Sequence, residues 1–384
     1  MARPRDRLLV QLATAAIVMA SGGCGEKAAP QAGPQALRTA PYQGPMSVRG
    51  LHCWVPPRDQ VAECERFIRD VLPKEGVNLL ILQFHYYYQF QRHPEIGGGG
   101  ACGAPEVQRL VKACRESGIR LIPQVNCLGH QDMPYAPGAK TLLDAYPAFN
   151  EAPHIPAGTR GQKGVRCYCP RHPDLHRVMF DLIDELAEAT EANAFHVGMD
   201  EVFNIADANC PRCRGADPAD VFAEEVNRLH DHLAARGLTM WMWGDRLIDA
   251  NAAGTNTWEG SANGTWRAIE RIPKDIVICD WHYKKAPDTP RYFANKGFRV
   301  VACPWQDANV GLGYVDLMRR LAADADPQRA GRALGMVQTT WTFLHKFAAA
   351  YGQPAAGPGT QQAACFKAVM SRLREETPAS RMGE

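Results

Sequence analysis

The segment His196-Val197-Gly198-Met199-Asp200-Glu201 runs an apolar, strand-like stretch directly into two adjacent carboxylates. Two acids held together at the end of a buried strand repel, so one is expected to keep a proton beside an ionised neighbour. A proton donor next to a fixed negative charge suits general acid–base work on a glycosidic bond. The same pair, taken alone, also fits a loop that merely begins with two solvated acids. Other short apolar segments end comparably: Arg49-Gly50-Leu51-His52, Gln83-Phe84-His85-Tyr86, Asn126 with Gly129-His130, Trp243-Gly244-Asp245, Asp280-Trp281-His282-Tyr283, Trp305-Gln306-Asp307 and Thr340-Trp341. A lone Trp is more often core than sugar platform, a lone Arg49 a salt-bridged surface residue, and a lone His130 a structural histidine. Eight such ends in one chain are more than solvated loops account for. His85 and His282 fit a pocket wall or a core equally well, and Asp245 fits either a sugar contact or a cap on the following segment.

The chain has 13 cysteines, and four of them flank the acid pair: Cys167, Cys169, Cys210 and Cys213. Cys210-Pro211-Arg212-Cys213 with a second cysteine pair has the spacing of a structural zinc knuckle. An exported chain could equally use these residues as disulfides or leave them as thiols. The other cysteines of the folded region read as small core residues, none with an evident partnering base. Gly97 to Gly100 lacks the Lys-Ser/Thr of a phosphate-binding loop.

The elements that must position these groups follow from periodicity. Strands are expected at 48–53, 77–84, 119–126, 194–199, 238–243, 275–280, 298–303 and 334–340. Helices are expected near 58–72, 105–117, 174–191, 218–236, 288–297, 313–324 and 361–374. In 174–191, Leu175, Val178, Met179, Leu182, Ile183 and Leu186 recur at three- and four-residue spacing. Gly118 and Gly237 stand where helices stop. Eight strands separated mostly by helices indicate a parallel α/β architecture, either a closed (β/α)8 TIM barrel or an open doubly wound sheet. In a barrel, the strand ends named above would gather at one face.

Composition excludes several classes. Of 384 residues, 46% are hydrophobic and 22% charged, which excludes a disordered chain or a coiled coil. The 43 basic residues against 41 acidic ones give a net charge of +2, too little for a nucleic-acid binder relying on a basic body. Arg3, Arg5 and Arg7 precede an apolar run from Leu8 to Ala20 and then Ser21-Gly22-Gly23-Cys24. Residues 1–24 therefore read as a signal peptide with a lipobox-like end, Cys24 being the residue that would carry lipid. The rivals are plain secretion and a retained anchor. Residues 25–45, rich in Ala, Pro, Gln and Gly, read as a flexible tether. A single catalytic domain is expected over 46–384, its first strand following the tether without an accessory domain.

The stretch HVGMDEV resembles the His-x-Gly-x-Asp-Glu motif of glycoside hydrolase family 20, the β-N-acetylhexosaminidases. Arg49-Gly50 resembles the family's first-strand Arg-Gly, and Asn126-Cys127-Leu128-Gly129-His130 its third-strand Gly-His segment. Trp243-Gly244-Asp245, Trp281-His282-Tyr283 and Trp341 resemble its segments after strands five, six and eight. These motifs occur in the family's order over roughly residues 47–345. Two positions depart from it: Gly198-Met199 stands in place of Gly-Gly, and Phe343 stands where members often carry a sugar-gripping Glu.

The resemblance implies a (β/α)8 barrel and a substrate-assisted retaining mechanism, an exception to the two-carboxylate scheme. Glu201 would be the acid and then the base, and Asp200 would hold the substrate's 2-acetamido group while that group attacks the anomeric carbon. Tyr283 would donate to the acetamido carbonyl, and Trp243, Trp281 and Trp341 would wall the pocket. Arg49 and Asp245 would meet sugar hydroxyls, and His130 would support the acid pair or the sugar. The implied partner is a glycan ending in N-acetylhexosamine, with no catalytic metal or cofactor, no nucleic acid, and membrane contact only through the N-terminal lipid. The rivals are a hydrolase of another glycoside on the same fold, a non-catalytic glycan-binding lipoprotein, and a zinc hydrolase built on the cysteines. Retention of both acids speaks against the binding protein, and a closed four-sulfur pattern speaks against the zinc hydrolase.

Overall fold

The β-branched and aliphatic runs form eight strands: β1 Val48–Trp54, β2 Leu79–Gln83, β3 Arg120–Cys127, β4 Ala194–Gly198, β5 Thr239–Trp243, β6 Val277–Asp280, β7 Arg299–Ala302 and β8 Ala333–Phe343. Every neighbouring pair is parallel, and β1 pairs with β8 to close the barrel. The choice between barrel and open sheet is thus settled for the barrel. This computed structural model describes residues 44–132, 138–354 and 359–375. The expected signal peptide and all of the tether but residues 44 and 45 lie outside the described residues. No helix among the described residues is long and apolar enough to cross a membrane.

Alternation along the strands divides the apolar residues between two cores. One parity fills the barrel: Val48, Leu79, Ile81, Ile122, Trp241, Val277, Cys279, Val301 and Val337 pack together. The other parity, including Leu51, Leu80, Leu82 and Phe195, packs outward against the helices. Helix Leu175–Thr190 buries all six residues whose spacing predicted it. Toward the C-terminal end of the barrel the inward parity turns polar, with His52, Gln83, Gln124, Asn126 and His196 all buried.

The helix after β7 begins at Ala308, five residues before its expected start. Asp307 caps it by accepting N–H bonds from Asn309 and Val310. Gly311 masked that turn in the sequence, because glycine disfavours helix. The glycine is there for packing: a Cβ would meet Val369 at 2.7 Å and Cys365 at 2.9 Å on helix Thr360–Arg374. Helix Leu344–Tyr351, directly after β8, was not expected. Between β5 and β6 the described chain forms only 3-10 turns, Asp245–Leu247 and Thr265–Arg271. Buried Arg246 organises this long connection, donating to the carbonyls of Thr257, Trp258 and Gly260.

Candidate active site

The backbone is strained where the strands end. Non-glycine residues with positive φ include His85 (48°), Leu128 (67°), His130 (61°), Met199 (73°), Glu201 (51°) and Trp341 (49°), all at the C-terminal ends of β2, β3, β4 and β8. Such conformations cost about 1–3 kcal/mol each and persist where surrounding structure over-determines them, characteristically at functional sites. Met199 occupies one of them at the position where glycine was expected, and it is fully buried. Gly198 (φ 70°) has no alternative, since a Cβ there would lie 2.6 Å from Asn126 Oδ1. Gly129 is required by close approach: its Cβ would lie 2.6 Å from the Asp200 carbonyl oxygen. These two glycines let the β3 and β4 ends come together.

That approach brings His130 onto the acid pair. His130 Nε2 lies 3.3 Å from Asp200 Oδ2 and 3.3 Å from Glu201 Oε2. Burial works to depress the His130 pKa, but Asp200 and then Glu201 overcome it and raise it from 6.5 to about 10. The imidazolium therefore stays charged between two acids. A group whose pKa is raised on folding stabilises the fold fully below its unfolded value and loses that contribution as pH rises through its folded value. The difference in unfolding free energy between wild type and His130→Gln is accordingly expected to be largest below pH 6.5 and to shrink as pH approaches 10. Denaturant titrations across that range check this, and a pH-independent difference would refute it.

Beneath this charged pair the barrel holds neutral imidazoles. Burial lowers the His52 pKa to about 4, and His196 falls well below the usual histidine value for the same reason. His85 is lowered to about 3 by burial and by the charge of His130. Its ring lies against Tyr86, with centroids 4.2 Å apart.

Asp200 is more buried than Glu201, with side chains 8% and 19% exposed, so Glu201 is the more accessible of the two acids. Asp200 Oδ2 faces His130, while its buried Oδ1 has no hydrogen-bond partner. Asp245 Oδ2 accepts the Glu201 backbone N–H at 3.0 Å and the Arg246 Nε–H at 2.6 Å, and its Oδ1 accepts the Trp281 indole N–H at 3.2 Å. Burial, opposed by Arg246 and reinforced by Asp200 and Glu201, raises the Asp245 pKa to about 6.

The aromatic residues form one connected group. Trp243 packs against His52, His196 and Trp341 at centroid distances of 5.5, 4.6 and 5.5 Å. Trp281 lies 4.9 Å from Tyr283, which lies 5.3 Å from Trp305. The Trp341 indole N–H donates to the Tyr283 hydroxyl oxygen at 2.7 Å. That bond uses a lone pair of the phenol, whose second side-chain neighbour is the Thr339 hydroxyl. Burial holds the phenol protonated, with its pKa well above 10.

The structure thus brings together Asp200, Glu201, His130, Trp243, Trp281, Tyr283 and Trp341. Two expected substrate contacts fall elsewhere. Arg49 sits near the start of β1, at the opposite end of the barrel, where its Nε donates to Gly76 O at 2.7 Å. Asp245 is fully buried with both oxygens engaged by protein, so it positions Glu201 and Trp281 rather than meeting a sugar. The cysteine set changes as well: Glu151, Cys169, Cys210 and Cys213 cluster, and Cys167 does not join them.

Residues outside the expected set contribute too. Glu259 Oε2 lies 3.0 Å from His282 Nδ1 and its Oε1 accepts the Tyr283 backbone N–H at 3.3 Å. His282 is raised to about 9, its burial outweighed by Asp280 and Glu259. Glu259 comes from the long β5–β6 connection, and its only signal was an acid in a stretch of Asn, Gly, Thr and Ala. Trp305 ends β7's extension and was recognisable only as one aromatic strand end among several.

A family model described as the catalytic domain of glycosyl hydrolase family 20 matches residues 88–362. A beta-hexosaminidase of Vibrio furnissii is 21% identical over 253 residues, covering 65% of this chain and 35% of that protein. A beta-hexosaminidase of Akkermansia muciniphila is 25% identical over 190 residues, covering 46% of this chain and 37% of that protein. The chain therefore spans little more than a third of the length of these curated relatives. Among solved structures, Flavobacterium johnsoniae chitobiase superposes with a TM-score of 0.59 at 18% identity, over 86% of this chain and 52% of that one. The β-N-acetylhexosaminidase of Bacteroides fragilis superposes with a TM-score of 0.56 at 18% identity, over 83% of this chain and 66% of that one. Those superpositions show the shared fold. The match spans most of the barrel and takes in the acid pair, His130 and the aromatic group, so the chain belongs to glycosyl hydrolase family 20.

Proposed function

We propose that this protein is an exo-acting glycosidase that removes terminal β-linked N-acetylhexosamine, with the substrate's own 2-acetamido group as nucleophile. The observation that carries this reading is the buried Asp200 Oδ1, an acceptor without a donor while Oδ2 faces His130. A buried carboxylate oxygen left unpaired is costly, and an acetamido N–H is the donor that would satisfy it. Tyr283, turning its proton to the substrate, would bind the acetamido oxygen from the other side. Asp200 then stabilises the positive charge of the oxazolinium-type intermediate. Glu201 protonates the departing oxygen and afterwards takes the proton of the attacking water. Trp281 and Trp341 would cover the methyl group and the apolar sugar face, with Trp243 behind them. Because the substrate supplies the nucleophile, this chemistry calls on no cofactor.

The test is chromophore release from aryl β-N-acetylglucosaminide, the matching galactosaminide and the matching β-glucoside. Release from the acetamido sugars with little from the glucoside is expected. Equal release from the glucoside would remove the acetamido pocket from the reading, and binding of N-acetylglucosamine without any release would leave a glycan-binding protein. From the leader's charge, apolar run and Ser-Gly-Gly-Cys, we also propose export and lipid attachment at Cys24.

A further inference from the structure

A four-ligand cluster lies apart from the reacting groups, between the segments that follow β3 and β4. Glu151, Cys169, Cys210 and Cys213 each present one ligand atom, all within 4.8 Å of one another, and all four residues are buried. Local structure explains the convergence. Residues 149–151 and 167–169 form a short antiparallel pairing, with Cys169 N–H bonded to Phe149 O and Glu151 N–H to Cys167 O. This places Glu151 and Cys169 on neighbouring segments of chain; Cys167, opposite Glu151, is not one of the four clustered ligands. Cys210-Pro211-Arg212-Cys213 forms a tight turn in which the backbone amides of Arg212 and Cys213 point at the Cys210 sulfur.

The sulfur spacings discriminate between uses. Cys169 Sγ is 3.5 Å from Cys213 Sγ and 3.6 Å from Cys210 Sγ. A disulfide needs about 2.05 Å and would leave the third sulfur over. Tetrahedral zinc with bonds of about 2.3 Å sets its sulfurs about 3.8 Å apart, close to both spacings. Glu151 supplies an independent sign. It is fully buried; its Oε1 accepts the Asp207 N–H, its Oε2 meets no N–H or O–H donor, and the Cys210 thiol lies beside the carboxylate. A fully buried carboxylate oxygen without an N–H or O–H donor, set against three sulfurs, is what a cation would complete. Three thiolates and one carboxylate carry the same charge as a four-thiolate site, and Arg171 stands close enough to Cys169 and Cys213 to offset part of it.

We propose that Cys169, Cys210, Cys213 and Glu151 bind one structural zinc ion. All four positions are filled by protein, so the ion has no open site for chemistry and acts as a brace. It ties the segment after β3, which carries His130, to the segment after β4, which begins with Asp200 and Glu201.

The experiment uses the purified full-length chain and elemental analysis by mass spectrometry. One zinc per chain is expected, retained in Cys24→Ser and lost in Cys213→Ser. Replacing zinc with cobalt is expected to give the near-ultraviolet sulfur-to-cobalt charge-transfer absorption and the visible bands of a tetrahedral ion. Should Cys213→Ser fail to fold, the isosteric Glu151→Gln decides, by losing zinc to a chelator at a concentration where wild type keeps it. Metal-free, folded wild type would overturn the proposal, whether its cysteines are free or peptide mapping finds a disulfide among the three. None of these readouts depends on glycosidase activity, so this proposal and the proposed reaction stand or fall separately.

Discussion

Glu201→Gln is expected to lower kcat/KM on aryl β-N-acetylhexosaminides about a thousandfold, within the range of roughly 10² to 10⁴ for losing a general acid–base group. The substitution keeps the shape and removes the transferable proton. The backbone N–H of residue 201 still bonds Asp245, so the loop keeps its anchor. The loss should depend on the leaving group. A strongly acidic phenol departs without protonation, so the first step should recover for such substrates, while the water step, for which Glu201 is the proposed base, should stay slow. A burst of chromophore followed by a slow steady state is the expected trace. Activity of the variant within tenfold of wild type on a poor leaving group would sink the assignment.

Asp200→Asn is expected to cost about 10²- to 10³-fold in kcat, the scale seen when one group aimed at a developing charge is removed. The signature differs from that of Glu201. In the proposed mechanism Asp200 acts on the acetamido attack and on the charge of the intermediate, so a better leaving group should restore little. A second readout lies outside catalysis. Asp200 is the largest influence raising the His130 pKa against burial, so the variant's His130 should titrate well below about 10 in an NMR titration. An unchanged His130 titration would contradict the geometry of the trio, whereas unchanged kinetics with a shifted His130 would confine Asp200 to a structural role.

Local signals in the chain made much of this molecule legible. The helix Leu175–Thr190 follows from six apolar residues at helical spacing, and the strand before Asp200 from its buried run. Polar and aromatic residues at strand ends pointed to one face of a barrel, and the His130, Asp200, Glu201 and aromatic convergence occurs there. Arg49 shows where such reading stops. It shares β1 with His52, but three residues along a strand separate the two by about 10 Å. The Arg-Gly pair therefore lies toward the end where chains enter the barrel, and His52 toward the end where they leave. Asp245 looked like a sugar contact for the same reason that Trp281 did, namely position after a strand; only its filled hydrogen bonds assign it to positioning.

The sequence by itself determined the alternation of strands and helices, the polar strand ends and the acid pair, because each depends on residues close along the chain. The tertiary structure alone decided which distant residues meet. Closure sets β8 beside β1, so that Thr340 donates to the carbonyl of His52 across 288 positions of sequence. The approach of β3 to β4 places His130 between two acids some seventy residues away and thereby sets its charge. The same folding brought Glu151 to the cysteines, because a short antiparallel pairing, absent from any spacing rule, lays residues 149–151 beside 167–169.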